Sequence, residues 1–517
     1  MIRRGVWLSA LLASTVVSGV AVAAPADTSY GPSLEAPGPD TPPAAISDQP
    51  AGPTNVHPGV THPNAVQTSN ATPTLNDALA EVYLTNPALL GERAHLRSTD
   101  EGVPSALSGW RPTISYTLAP GWGYGTITGQ GIVQRTGEEG SVTQANSRWV
   151  FQQQVQATQY IYKGGRTVAA TAQAENAVRG ERARLLAEEE QEFSNGVSAY
   201  VTVIEDQQLY ELQVSNVQVL TKQLEATNAR FSVGEITRTD VAQAQAALEQ
   251  AIAERETAYG TLQTARATYR QVIGDLPDKL IEPQPLALPV KNAEEADTLA
   301  AENNATLIAA EYDDAASKDA VDAAYAAVMP QVSVQASAFY NNQAANRQAI
   351  QRGGIVGGNI TMPIYQGGSE YAAIRQAKQN EQQSRKSVDD SRRTAVQQAT
   401  QFWETYVAAK ATVVATRAEI RADEIALDGV EREALAGTQT TLDVLNAEQA
   451  LLSARVTLVQ NLASLVNDSY SLAGAIGRLT ARDLGLNVPL YDETAYYNDV
   501  RDLPFGTNDH ATNQPGR

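Results

Sequence analysis

The stretch Arg230-Phe231-Ser232-Val233-Gly234-Glu235, with Thr239-Asp240-Val241 just beyond it, returns in the chain. At an offset of 203 residues stands Leu435-Ala436-Gly437-Thr438, followed by Leu442-Asp443-Val444. The same offset carries Gly164-Gly165 onto Gly367-Gly368, Tyr200 onto Trp403 and Gly274 onto Gly477. Nearer the N-terminus the offset is 218: Asn86 meets Asn304, Leu89 meets Leu307, Pro112 meets Pro330 and Ile114 meets Val332. Self-similarity over such a span marks an internal duplication. The offset changes by 15 residues between Pro112 and Gly164, which predicts a longer loop in the first copy. Each copy reads as helix, strand, loop, strand, long helix, turn, long helix.

The long helices follow from what is missing. No proline occurs between Pro120 and Pro277 or between Pro363 and Pro489, and both windows are rich in the helix formers Ala and Gln. Thr167 to Arg230 reads as nearly continuous helix, ~96 Å of rod at 1.5 Å per residue, with Gly180 and Gly196 as its weak points. In the last helix of the first copy Val241, Ala244, Leu248, Arg255, Tyr259, Leu262, Tyr269 and Ile273 keep steps of three, four and seven. Val444, Ala447, Leu451, Leu458, Leu462, Leu465, Leu472 and Ile476 repeat those positions. Such a seam calls for other long helices alongside.

The strands alternate. In 332–340 the even positions Val332, Val334, Ala336, Ala338 and Tyr340 oppose Ser333, Gln335 and Ser337; in 356–364 Val356, Ile360, Met362 and Ile364 oppose Asn359 and Thr361. Period two with one polar face suits a barrel wall with lipid outside and water within. The first copy is less clean, with Trp149, Phe151, Val155, Ala157 and Ile161 sharing a face with Gln153 and Gln159. Trp110, Trp122 and Trp149 lie near one another in sequence, as an interfacial aromatic girdle would require. Four strands cannot close a membrane barrel, whose smallest size is eight, and an open edge in lipid leaves amides and carbonyls unpaired. Several chains must share one barrel, and two, three or four copies all satisfy the arithmetic.

The remaining sequence sets the compartment. Residues 1–23 read as a secretory signal: Arg3 and Arg4, an uncharged run from Val6 to Val22, and Ala21-Val22-Ala23 at the cleavage site. Residues 24–73 form a proline-rich segment holding 11 of the 24 prolines, expected to be extended and mobile. Beyond the leader no stretch approaches 18 uncharged apolar residues, so a membrane-crossing mature chain must use strands. The absence of cysteine excludes disulfides and an N-terminal lipid anchor. A net charge of −20 argues against nucleic acid as a partner. The first repeat is assigned to 74–285, the second to 286–490, and a tail, by default reach or disorder, to 491–517.

At this point the pattern resembles the TolC family of outer-membrane efflux and secretion channels. The likeness spans roughly 74–489 and rests on the two tip motifs and the Gly-Gly pair that ends each hairpin. The resemblance implies a mixed α and transmembrane-β fold: a homotrimer with a shared twelve-stranded barrel, four strands per chain. A long α-helical coiled-coil barrel would continue it into the periplasm and close to an iris at its end. It also implies a periplasmic adaptor and an inner-membrane transporter as partners, with outer-membrane lipid around the barrel. The location would be the outer membrane of a Gram-negative bacterium.

At the tips, Gly234 and Gly437 permit positive φ where one helix stops. Asp240 and Asp443 open the returning helices, where the helix dipole favours an acid. Symmetry would turn each into an acidic ring that prefers cations. Well-known relatives carry a further acid one turn later in the second copy; here that place is Asn446, and its first-copy match is Gln243. A weaker cation preference is therefore expected. The turns Val233-Gly234-Glu235 and Ala436-Gly437-Thr438 resemble the family's contact with the adaptor. No catalytic constellation, phosphate loop or zinc spacing is present in the sequence, and His57, His62, His95 and His510 stand apart, so neither an enzyme nor a cofactor is expected. The rival reading is a non-conducting exported coiled-coil scaffold or adhesin. It shares the heptads and the acidity but not the alternating strands.

Overall fold

The computed structural model describes residues 74–132, 137–275, 279–342 and 350–507. The expected leader at 1–23, the proline-rich segment at 24–73, and His57, His62 and His510 lie outside the described residues. The chain runs α1 (Leu75–Thr85), α2 (Pro87–Asp100), α3 (Gly102–Leu107), β1 (Thr113–Ile132), β2 (Glu139–Lys163), α4 (Arg166–Ser232) and α5 (Arg238–Val272). The order recurs as α6 (Ala293–Asn303), α7 (Ala305–Tyr325), β3 (Gln331–Asn342), β4 (Ile350–Thr361), α8 (Ser369–Leu435) and α9 (Thr441–Ala475), before a short α10 (Ala495–Val500). No described helix is long and apolar enough to cross a membrane.

Helices α4 and α8 each have 67 residues, and α5 and α9 each have 35. At 1.5 Å per residue the longer pair are rods of about 100 Å. Gly180 and Gly196 do not interrupt α4, which passes through both unbroken. Both are buried crossing points: a Cβ on Gly196 would come within 3.1 Å of Leu79 and 3.3 Å of Val82, and one on Gly180 within 3.5 Å of Tyr312. The missing side chain lets α1 and α7 lie close against the rod.

Asn86 and Asn304, matched by the duplication, do matching work. Each ends one helix and caps the next: Asn86 Oδ1 accepts from the Ala88 and Leu89 amides, and Asn304 Oδ1 from the Leu307 amide. Their side-chain amides then donate to the last turns of the returning helices, Asn86 to the Val272 carbonyl and Asn304 to that of Ala475. Around these caps sits the main core, in which Leu79, Val82, Leu89, Phe193, Tyr200 and Tyr269 are buried. A smaller cluster in the second half packs Ala296, Ala300, Ala399, Leu472 and Ile476.

The predicted seam holds in α9, where Val444, Leu451, Leu472 and Ile476 are buried. In α5 it holds at Ala244, Leu262, Tyr269 and Ile273. Tyr259 departs from it, being 48% exposed, with its ring 5.7 Å from that of Tyr210.

The four strands form one antiparallel sheet in the order β1-β2-β3-β4. Register aligns the faces. Trp122 pairs with Trp149, Tyr116 with Val155, Val155 with Ala338, and Ala336 with Val356. One face therefore carries apolar side chains across all four strands. The other carries Thr117, Gln154, Gln156, Ser333, Gln335 and Ser337. Ile161 does not keep its expected place: a bulge between Tyr160 and Tyr162 makes Tyr162, not Ile161, the partner of Val332. The extra length of the first copy is not a longer loop either. It goes into the strands, 20 and 25 residues in β1 and β2 against 12 and 12 in β3 and β4. β4 stops at Thr361, two residues before Pro363, which has no N–H to donate.

The tail is not simple reach. From Tyr491 to Leu503 it lies along α1, α2 and α4. The Tyr491 amide donates to the Tyr83 hydroxyl at 2.9 Å, and Tyr496 Oη donates to Glu101 at 2.8 Å. Arg111 donates to the Leu503 carbonyl at 2.8 Å, and the buried Arg93 guanidinium stacks between the rings of Tyr83 and Tyr491.

Candidate functional site

The two tips are built alike. At the end of α4, Gly234 adopts φ +81°, its amide donates to the Phe231 carbonyl, and the Glu235 amide reaches back to Arg230 O at 3.0 Å. At the end of α8, Gly437 adopts φ +77°, and the Thr438 amide reaches back to Glu433 O at 3.0 Å. A bond spanning five residues over a left-handed glycine stops a helix sharply. A side chain at either glycine would be strained by that φ.

The returning helices start on threonines that the sequence reading passed over. Thr237 and Thr440 are the N-caps, and each forms a reciprocal box with the acid three residues on. Asp240 Oδ2 accepts from the Thr237 amide at 2.8 Å and its hydroxyl at 2.6 Å. Asp443 Oδ2 accepts from the Thr440 amide at 2.9 Å and its hydroxyl at 2.6 Å. These bonds hold both carboxyls below the usual aspartate range. The signal was in the sequence: Thr-x-x-Asp before a helical run, at 237–240 and 440–443.

Gln243 and Asn446 follow their aspartates by three residues, so each tip presents one acid and one amide on one helix face. The turn residues Val233, Gly234, Glu235, Ala436, Gly437 and Thr438 are all exposed. Val233 is 77% exposed, and Leu435, the first residue of the second tip motif, is 79% exposed. The tips differ in charge pairing. Arg230 makes an ion pair with Glu235 at 3.1 Å across the first, whereas Glu433 of the second takes Gln439 at 3.3 Å.

The structure brings two of the three tryptophans together. Trp122 and Trp149 are cross-strand partners with ring centroids 5.5 Å apart, edge to face. Trp110 is not beside them. It closes the 3-10 turn Ser108–Trp110, where its carbonyl accepts from Gln159. Trp122 stands nine residues beyond the start of β1, about 30 Å higher at ~3.4 Å per residue.

Paired tip turns on long helical rods, joined to a sheet with one apolar and one polar face, define the subunit of an outer-membrane duct. The chain belongs to the outer membrane efflux protein family, whose model matches residues 78–275 and 298–478. The outer membrane efflux protein BepC of Brucella suis is 35% identical over 436 residues, covering 84% of this chain and 91% of that protein. The outer membrane protein TolC of Escherichia coli is 24% identical over 313 residues, 56% of this chain and 62% of that protein. Among solved structures, the outer membrane protein VceC of Vibrio cholerae shares the fold, with a TM-score of 0.66 at 20% identity over 78% of this chain and 96% of that one. The chain is thus an outer-membrane channel protein of the class that serves efflux pumps and type I secretion, and the family is one of transport proteins.

Proposed function

We propose that three copies of this chain assemble into one duct with a shared twelve-stranded barrel, continued by helices that converge at the tips. The observation that carries this reading is the sheet itself. Among the described residues its four strands leave β1 and β4 as open edges on a wall that is apolar across one face. In lipid those edges need partners, and further copies of the same sheet supply them. Matching element lengths in the two halves support a duplicated chain, which doubles the helices each copy contributes to the wall. Residues 1–23 are a leader, 24–73 a separate segment, 74–285 and 286–490 the two repeats, and 491–507 a strap along the first repeat.

In this reading Asp240 and Asp443 line the narrow end, with Gln243 and Asn446 one turn deeper. The exposed turns at Val233-Gly234-Glu235 and Ala436-Gly437-Thr438 receive a periplasmic adaptor that links the duct to an inner-membrane transporter. Trp122 and Trp149 mark one level of the lipid boundary and Trp110 another. A scaffold without a pore is the weaker reading, since it gives no use to a polar sheet face lined with glutamine.

Purified protein in a planar lipid bilayer tests the duct. Uniform single-channel steps are the expected result. Silence from intact, barrel-rich oligomers, persisting after the tip turns are loosened by a Gly234→Ala and Gly437→Ala double variant, would leave the scaffold as the better account.

A further inference from the structure

His95 looked solitary in the sequence, and the fold gives it company. Glu92 precedes it by one turn of α2, so both side chains leave the same face of that helix. Glu181 arrives from α4, 86 residues away in sequence, and its Oε1 meets His95 Nδ1. Glu92 Oε1 lies 3.9 Å from the same nitrogen. One imidazole nitrogen and two carboxylate oxygens all fall within 4.8 Å of one another. Donors bound at about 2.1 Å to a single ion sit roughly 3–4 Å apart; Glu92 and His95 already have that spacing, and the direct His95–Glu181 hydrogen bond would open to admit the ion.

Charge and burial point the same way. Arg184 holds the other oxygen of Glu181 at 2.9 Å and also pairs with Asp313. Three carboxylates, those of Glu92, Glu181 and Asp313, meet one guanidinium and the His95 imidazole, a donor set rich in oxygen ligands. The Glu181 side chain is only 4% exposed, so its carboxylate is held between α2 and α4 with little freedom to turn away. The bond from Arg184 also fixes which oxygen faces the imidazole, as outer partners do around metal ligands. His95 is 62% exposed and leaves an open path for an ion and for water in the remaining positions.

We propose that Glu92, His95 and Glu181 bind one divalent transition-metal ion of the zinc class, clamping α2 to α4. The imidazole sets the class, since Ca²⁺ and Mg²⁺ favour all-oxygen sites. The clamp lies where α2 leads through α3 into β1, so the ion fixes the rod against the root of the sheet.

The full-length protein, stripped with chelator and kept in detergent, is titrated with zinc chloride. Bound metal is counted after dialysis, and thermal unfolding is followed in parallel. One zinc per chain with a raised Tm is expected. His95→Ala, at an exposed position, should weaken binding at least tenfold and remove the Tm shift, and Glu92→Gln should act in the same direction. Equal zinc uptake and equal Tm shifts in the wild type and His95→Ala would place the metal elsewhere and overturn the proposal. So would calcium at the same concentration raising the Tm as much as zinc does.

Discussion

Asp240 and Asp443 are each held by two hydrogen bonds from one threonine, so cap and charge can be separated by mutation. Asp443→Asn should lower cation-over-anion selectivity at least twofold, read as reversal potential in a salt gradient. Thr440→Ala keeps the charge and should leave selectivity within error; an equal fall in both variants would show that tip geometry, not charge, sets it. The pH dependence has a sign. Both carboxyls lie below the ordinary aspartate value near 4, so each stays ionised above it and loses its charge only as pH falls through the lowered pKa. Selectivity should be flat from pH 8 to 5. Glu190 behaves in the opposite way. Burial, then the neighbouring Glu189, push its carboxyl up to about 8, and its Oε1 has no partner among the described residues. Between the usual glutamate value and about 8 the folded chain holds a proton that the unfolded chain has released, so stability falls as pH rises through that window. Glu190→Gln should flatten the fall and stabilise the protein by about 1–3 kcal/mol at pH 8, seen in thermal unfolding at several pH values. An unchanged pH slope would assign it to other groups. The caps at 237 and 440 could be read from Thr-x-x-Asp; Glu190 could not, because its burial arises only when α4 meets the segment around Leu479.

Helix α4 shows what an element reveals before folding and what it hides. Its length was legible because nothing in 166–232 breaks a helix except two glycines, and glycine costs only about 1 kcal/mol against alanine in a helix interior. The role of those glycines was not legible, since it depends on α1 and α7 crossing there. Gly196→Leu should therefore push α1 away and cost about 1–3 kcal/mol of overpacking, measured as a drop in Tm. Gly91→Ala in α2, where a Cβ meets nothing within 4 Å, should instead stabilise slightly. A Gly196→Leu variant as stable as the wild type would mean that α1 yields easily. The sheet was legible through its period of two in β3 and β4. It was blurred in β2, where the glutamines at 153 and 159 sit on the apolar face and the bulge at Ile161 shifts the alternation by one residue. Pairing resolves the ambiguity, because β1 and β3 on either side of β2 agree on which face is apolar.

At the scale of the whole molecule, the proposed duct needs more than one chain. The helices of one chain can bury their seams against one another, but among the described residues β1 and β4 each keep one edge unpaired. The strap from Tyr491 to Leu503, with Tyr491 on Tyr83 and Leu503 on Arg111, is tied to the first repeat. In the proposed duct the bonding rule asks for other copies of the sheet but does not say how many, since eight, twelve and sixteen strands all close. The chain has no cysteine, so engineered thiols report without background. With Gly358→Cys fixed on β4 and single cysteines scanned from Ser115 to Gly123 on β1, oxidation in the membrane should link chain to chain at one or two scan positions only, because the pairing of β4 with a neighbouring β1 has a single register. The ladder of linked products should end at three chains. A ladder ending at two or four would replace the trimer with another closed ring. Links at every scan position would mean that the edges meet without register, as in an aggregate, and that this sheet does not close as a barrel.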